Sequence, residues 1–122
     1  MKARNDAMRM LATLAVLAVT APASAEDWQQ VLGERAVEAA LDDRVVDYDT
    51  SRQWFYASGR TLYDAGRPSW GYWRPQGDQY CSQWPPNAGW ACYDLFVSAD
   101  GAKVRFLSAR GDETVGVFRP EN

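Results

Sequence analysis

The sequence predicts an α+β domain in which β predominates: a short N-terminal helix packed on a strongly curved antiparallel meander or partial barrel of about seven to eight strands. Three observations carry this. After one stretch of helix formers, the chain reads as short strands with turn signals roughly every 8–12 residues, the spacing of a meander rather than of strands alternating with helices. Aromatic residues crowd the middle of the chain, from Trp54 to Phe96, and each such ring buries a large area. The two cysteines, Cys81 and Cys92, flank a turn-rich loop and are placed to join the facing arms of one hairpin.

The first residues stand apart from the domain. Lys2, Arg4 and Arg9 form a basic start, Met10 to Thr20 is an uncharged and mostly apolar run, and Ala23-Ser24-Ala25 has small residues at cleavage spacing. That is the three-part pattern of a secretory signal peptide. The apolar run is too short to cross a bilayer as a helix, which takes about 20 residues. Residues 1–25 are therefore expected to be removed, leaving residues 26–122 as a single disulfide-stapled globular domain, periplasmic or secreted. No cysteine adjoins the cleavage site, so no stable membrane anchor is expected.

The elements follow in order. Glu34 to Leu41 is rich in helix formers, with Val37, Ala40 and Leu41 at spacings of three and four on one face. Trp28, Val31 and Leu32 lie just ahead and extend or staple that face. So short a helix needs tertiary packing to persist. Strands are expected over 44–48, 53–57, 61–63, 69–74, 79–83, 90–97, 103–107 and 114–118. Turn signals separate them: Ser58-Gly59, Gly66-Arg67-Pro68, Pro75-Gln76-Gly77-Asp78, Ala99-Asp100-Gly101 and Arg110-Gly111-Asp112. A meander of this length must hide its edges, so the sheet is expected to curl, with the helix plugging or covering one opening.

Charge and composition narrow the function. Without the leader the chain holds ten basic and fifteen acidic residues, a net charge of −5. Nucleic-acid binders normally present a basic patch, so no nucleic-acid partner is expected. Histidine is absent, which removes the commonest general acid/base and metal ligand and excludes Ser-His-Asp or Cys-His catalysis. No metal and no cofactor are expected. Lys103 is the only lysine outside the leader, the other basic residues being arginines, whose planar groups stack on rings and pair with carboxylates.

The cysteines lie eleven residues apart around Trp84-Pro85-Pro86-Asn87-Ala88-Gly89. This spacing lacks the C-x-x-C form of catalytic dithiols, and an even count in an exported chain favours a disulfide. In the chain-entropy view such a loop contributes about 3 kcal/mol.

Residues 59–95 resemble a group of small exported bacterial proteins of unknown function. The shared elements are Gly59 before a strand with Tyr63, a Gly-x-Trp strand at Gly71 and Trp73, the Tyr80-Cys81 pair, and Cys92 after a Trp/Pro loop. The resemblance implies a folding signature and no catalytic residues. Members of that group are sometimes labelled dihydrodipicolinate reductase. Such an activity needs a nicotinamide site on a βαβ unit with a glycine-rich turn, and the sequence has no G-x-G-x-x-G.

The function expected is that of a small exported binding or inhibitor-like protein without catalytic activity. Its partner would be a protein or a small polar ligand of the periplasm. The candidate binding residues are Arg67, Trp73, Arg74, Trp84 and Trp90, an aromatic and arginine surface around the cystine hairpin, because exposed rings anchor partners. Two alternatives are a structural envelope protein and a histidine-free hydrolase. The latter would use paired carboxylates across a cleft, drawn from Asp42, Asp43, Asp47 and Asp49.

Overall fold

The computed structural model describes residues 26–121. The expected signal peptide, residues 1–25, lies outside the described residues. Nine strands and one helix follow in order: β1 (Trp28–Gln30), α1 (Glu34–Leu41), β2 (Arg44–Asp47), β3 (Arg52–Phe55), β4 (Arg60–Asp64), β5 (Pro68–Gln76), β6 (Gln79–Gln83), β7 (Trp90–Ser98), β8 (Lys103–Ser108) and β9 (Glu113–Phe118). The strands from β2 to β9 pair antiparallel with their chain neighbours, and β9 pairs back onto β2. The result is a closed eight-stranded barrel rather than an open curved sheet. Closure gives every barrel strand two partners and removes the exposed edges a long meander would otherwise present.

The helix is not the first element. Trp28, expected with Val31 and Leu32 to extend or staple the helical face, instead opens a strand, Trp28 to Gln30, paired with Phe96 to Ser98 of β7. The reason lies in unequal strand lengths. β7 runs nine residues, whereas β6 pairs only with residues 90–94 of it. The remaining edge of β7 needs a partner, and β1 supplies it, continued by the Val31 N–H donating to the Leu95 carbonyl at 2.8 Å.

Helix α1 then crosses one end of the barrel and packs on β5, β2 and β6. Val37 and Leu41, one turn apart on its inner face, are fully buried. Both ends of the helix are tethered: the Gly33 N–H donates to the Asp78 carboxylate at 2.8 Å, and Asp43 accepts from the Ala57 N–H at 3.1 Å. Beneath the helix the barrel is filled by Val46, Phe55, Trp73, Leu95, Val104 and Phe118. The Phe55 ring meets Trp73 edge-on at 5.9 Å and Tyr80 at 5.7 Å.

Strand alternation sorts the side chains. In β3, Gln53 and Phe55 are buried while Trp54 is not. In β5, Gly71 and Trp73 face inward while Trp70, Tyr72 and Arg74 face out. Cys81 and Cys92 stand directly opposite each other on β6 and β7 and are joined as a disulfide, with 4.0 Å between their Cα atoms. The expected hairpin staple is therefore present. Among the described residues no helix is long and apolar enough to cross a membrane.

Candidate functional site

Antiparallel pairing brings four connections to the end of the barrel opposite α1: residues 48–51, 65–67, 84–89 and 109–112. This end is open. It leads into a cavity of about 450 Å³ walled by Tyr48, Tyr63, Tyr93 and Thr114, with Gln53 and Phe106 as its deepest lining. Asp49 and Glu113 also line it. A closed barrel of eight strands has an interior just wide enough for side chains or one small ligand. Here the interior is side-chain filled beneath the helix and open at the other end.

The floor of the cavity is a hydrogen-bonded network. The Tyr48 hydroxyl donates to Gln53 Oε1 at 2.8 Å. Gln53 Nε2 donates to Thr61 Oγ1 at 3.0 Å and to the Tyr80 hydroxyl at 3.3 Å. Thr61 passes its own proton to the Trp54 carbonyl at 2.8 Å. Every polar group of Gln53 is thereby occupied, as a buried amide requires. Ser82, on the same face of β6 as Tyr80, accepts from Trp84 Nε1 at 3.1 Å through its Oγ.

Burial sets the protonation of the two phenols. It pushes Tyr48 far above the ordinary tyrosine value, with Tyr80 and Tyr63 adding to the rise. It pushes Tyr80 up to about 12, although the hydrogen bonds with Ser82 and Gln53 pull the other way. Both are neutral hydrogen-bonding groups across the physiological range. The site offers ring faces, fixed dipoles and two carboxylates.

The residues singled out from sequence are distributed as follows. Trp73 points into the barrel, is only 4% exposed, and donates its indole N–H to the Tyr56 carbonyl at 2.9 Å. It belongs to the core and not to the outer surface expected of it, because it shares the inward face of β5 with Gly71. Arg74 and Trp90 do come together on the outside, the guanidinium lying 3.9 Å over the ring. Arg74 sits beside Cys81 in register, so this stack lies next to the cystine. Trp84 is half-buried, and its ring crosses the inner side of Gly71, where an added Cβ would stand 2.6 Å from both the ring and the Gln83 carbonyl. Its edge meets Tyr63 at 6.2 Å. Arg67 is exposed in the 65–67 connection at the mouth.

The carboxylates weighed for acid/base work stand away from the cavity, with one exception. Asp42 stands at the helix end, where its backbone N–H donates to the Glu38 carbonyl and its buried Oδ1 has no hydrogen-bond partner among the described residues; Asp43 holds Ala57, and Asp47 pairs with Arg52 at 2.6 Å and Arg119 at 3.3 Å. Asp49 alone reaches the cavity. Among the described residues no group of three His, Cys, Asp or Glu side chains is arranged to hold a metal ion.

Sequence reasoning did not single out Tyr48, Gln53, Tyr63, Tyr93 or Glu113. Two signals pointed there. Gln53 is a polar residue in the inward register of Phe55. Gly71 interrupts an aromatic strand, which marks a close approach by another group. No known protein family, curated protein or solved structure matches this chain.

Proposed function

We propose that this chain is a small exported binding protein of the periplasm, or a secreted one, and that the open mouth of the barrel is its ligand site. One observation carries the reading: a closed eight-stranded barrel is plugged by a helix at one end and opens at the other onto a cavity of about 450 Å³ with a fully hydrogen-bonded polar floor. Small-molecule sites are concave, largely preformed and mix ring faces with a few fixed polar groups. The cystine supports an oxidising compartment, and the leader-like start supports export. The test is ligand-observed NMR with a panel of small polar fragments on the wild type and on Thr114→Trp, which fills the mouth from an exposed position. Fragment signals should be lost in the variant. Equal signals from both proteins would exclude the cavity as the site.

A second reading has its own support. The outer face of β4 to β7 carries Arg60 4.3 Å over Trp70, Arg74 over Trp90, and a Trp70 and Tyr72 that are 45% and 46% exposed. Exposed aromatic and arginine groups of this kind anchor protein partners. On this reading the chain acts as an inhibitor-like protein through the cystine face, with Arg67 and Trp84 at its mouth-side border. Pull-down from a periplasmic extract with wild type and Trp90→Ala separates the two. Loss of a partner in Trp90→Ala, with fragment binding intact, would favour the outer face.

A further inference from the structure

We infer that the mouth accepts a small organic cation, of the tertiary or quaternary ammonium class; this rests on the mouth being the ligand site. The lining carries no lysine or arginine. It presents the rings of Tyr48, Tyr63, Tyr93 and Phe106, whose electron-rich faces attract an alkylammonium group. Tyr48 sits between two of the others, with ring centroids 6.3 Å from Tyr63 and 6.4 Å from Phe106.

The charge at the rim points the same way. Glu113 lines the cavity and shares its charge with Arg105 at 3.2 Å. Asp49 lines it too and makes no ion pair with a described residue. Inside the lining an anion would meet carboxylates and no cationic donor, since Arg67 stands outside it on the 65–67 connection and Arg105 is held by Glu113. The floor is no substitute, because Tyr48 and Gln53 already direct their protons at Gln53, Thr61 and Tyr80. A hydrated alkali ion lacks the methyl groups that would contact the rings. An alkylated ammonium group matches ring faces and carboxylate together.

Titration of the full chain with three probes of nearly one shape provides the test: choline, its uncharged analogue 3,3-dimethyl-1-butanol, and the anion 3,3-dimethylbutanoate. Choline should bind roughly tenfold or more tightly than the alcohol, within the range of a partly desolvated cation–π site. Tyr63→Leu should weaken choline by roughly fivefold, whereas Tyr63→Phe, which keeps the ring, should stay within about twofold. Asp49→Asn, at an exposed position, should weaken choline by about threefold and leave the alcohol unchanged. Near-ultraviolet circular dichroism checks that each variant is folded. If the alcohol or the carboxylate binds as tightly as choline, and Thr114→Trp abolishes that binding, the cation assignment is overturned and the mouth site survives. If no probe binds at millimolar concentration, the cation assignment is overturned and the fragment panel decides the mouth; if choline binding persists in Thr114→Trp, both are overturned.

Discussion

The two ends of the barrel are built from the same strands and differ in almost every other respect. Under α1 the interior is apolar and filled: Val37, Leu41, Val46, Phe55, Leu95 and Val104 are fully buried. At the mouth the inward positions are Tyr48, Gln53, Tyr63, Tyr93 and Thr114, and a cavity remains among them. The filled end supplies the fully buried apolar side chains, and the cystine adds a cross-link in the wall. The mouth can then carry polar groups and empty space, which cost stability wherever they occur. The division of labour is between an end that holds the fold and an end free to bind.

The comparison breaks most sharply at the plug. Leu41→Ala removes a fully buried side chain and should cost about 2–5 kcal/mol, lowering the melting temperature by on the order of 10 °C or more. Well below that temperature, fragment binding at the mouth should be unchanged. A variant that melts normally, or that loses binding while still folded, would show that the two ends are not independent.

A smaller effect is expected from Gly71→Ala, on the mouth side. The new Cβ meets the Trp84 ring and the Gln83 carbonyl, and overpacking of this kind costs about 1–3 kcal/mol. The Trp84 ring must shift, so tryptophan emission and fragment affinity should both change. Unchanged emission would mean that Trp84 does not cover Gly71 in solution.

The mildest probe is alkali. The Tyr80 hydroxyl is raised from 10.0 to about 12 in the folded chain. The folded state therefore holds its proton more tightly than the unfolded state does. That contribution to stability is fully present below pH 10.0 and is lost as the pH rises to about 12. Chemical denaturation at pH 9 and pH 11.5 should show this loss together with that from Tyr48, which burial raises further still, and Tyr80→Phe should reduce it without abolishing it. Equal slopes for the two proteins would place the alkaline sensitivity elsewhere.

How much of this was legible in the sequence follows from the range of the signals. The hairpin from Gln79 to Ser98, its cystine and the split of β5 into Gly71/Trp73 and Trp70/Tyr72 faces are local matters of alternation and turn residues, and they were readable. Closure was not, because it depends on Val46 meeting Phe118 across the whole domain, and no local pattern encodes that pairing. Trp28 was read with the helix because a three-residue strand is too short to show alternation. The mouth was missed for a related reason. Tyr63 and Tyr93 look like any core aromatics, and only the circular order of the strands shows that they face a space rather than a neighbour. Arg74 and Trp90 were expected to share one surface, and they do.

The wall itself is uneven in strength. β2 and β9 are joined in register only at Val46 with Phe118 and at Asp47 with Val117, with the Arg119 N–H to Val45 carbonyl bond and the Arg119–Asp47 ion pair beside them. The other neighbouring strands of the barrel share four or five register pairs. The cylinder thus has a short zip on one side, and slippage there would widen the rim while α1 keeps its grip below. Amide hydrogens at Asp47 and Val117 should exchange sooner than those at Tyr80 and Tyr93, and a guest bulkier than the resting opening would have its way in along that line.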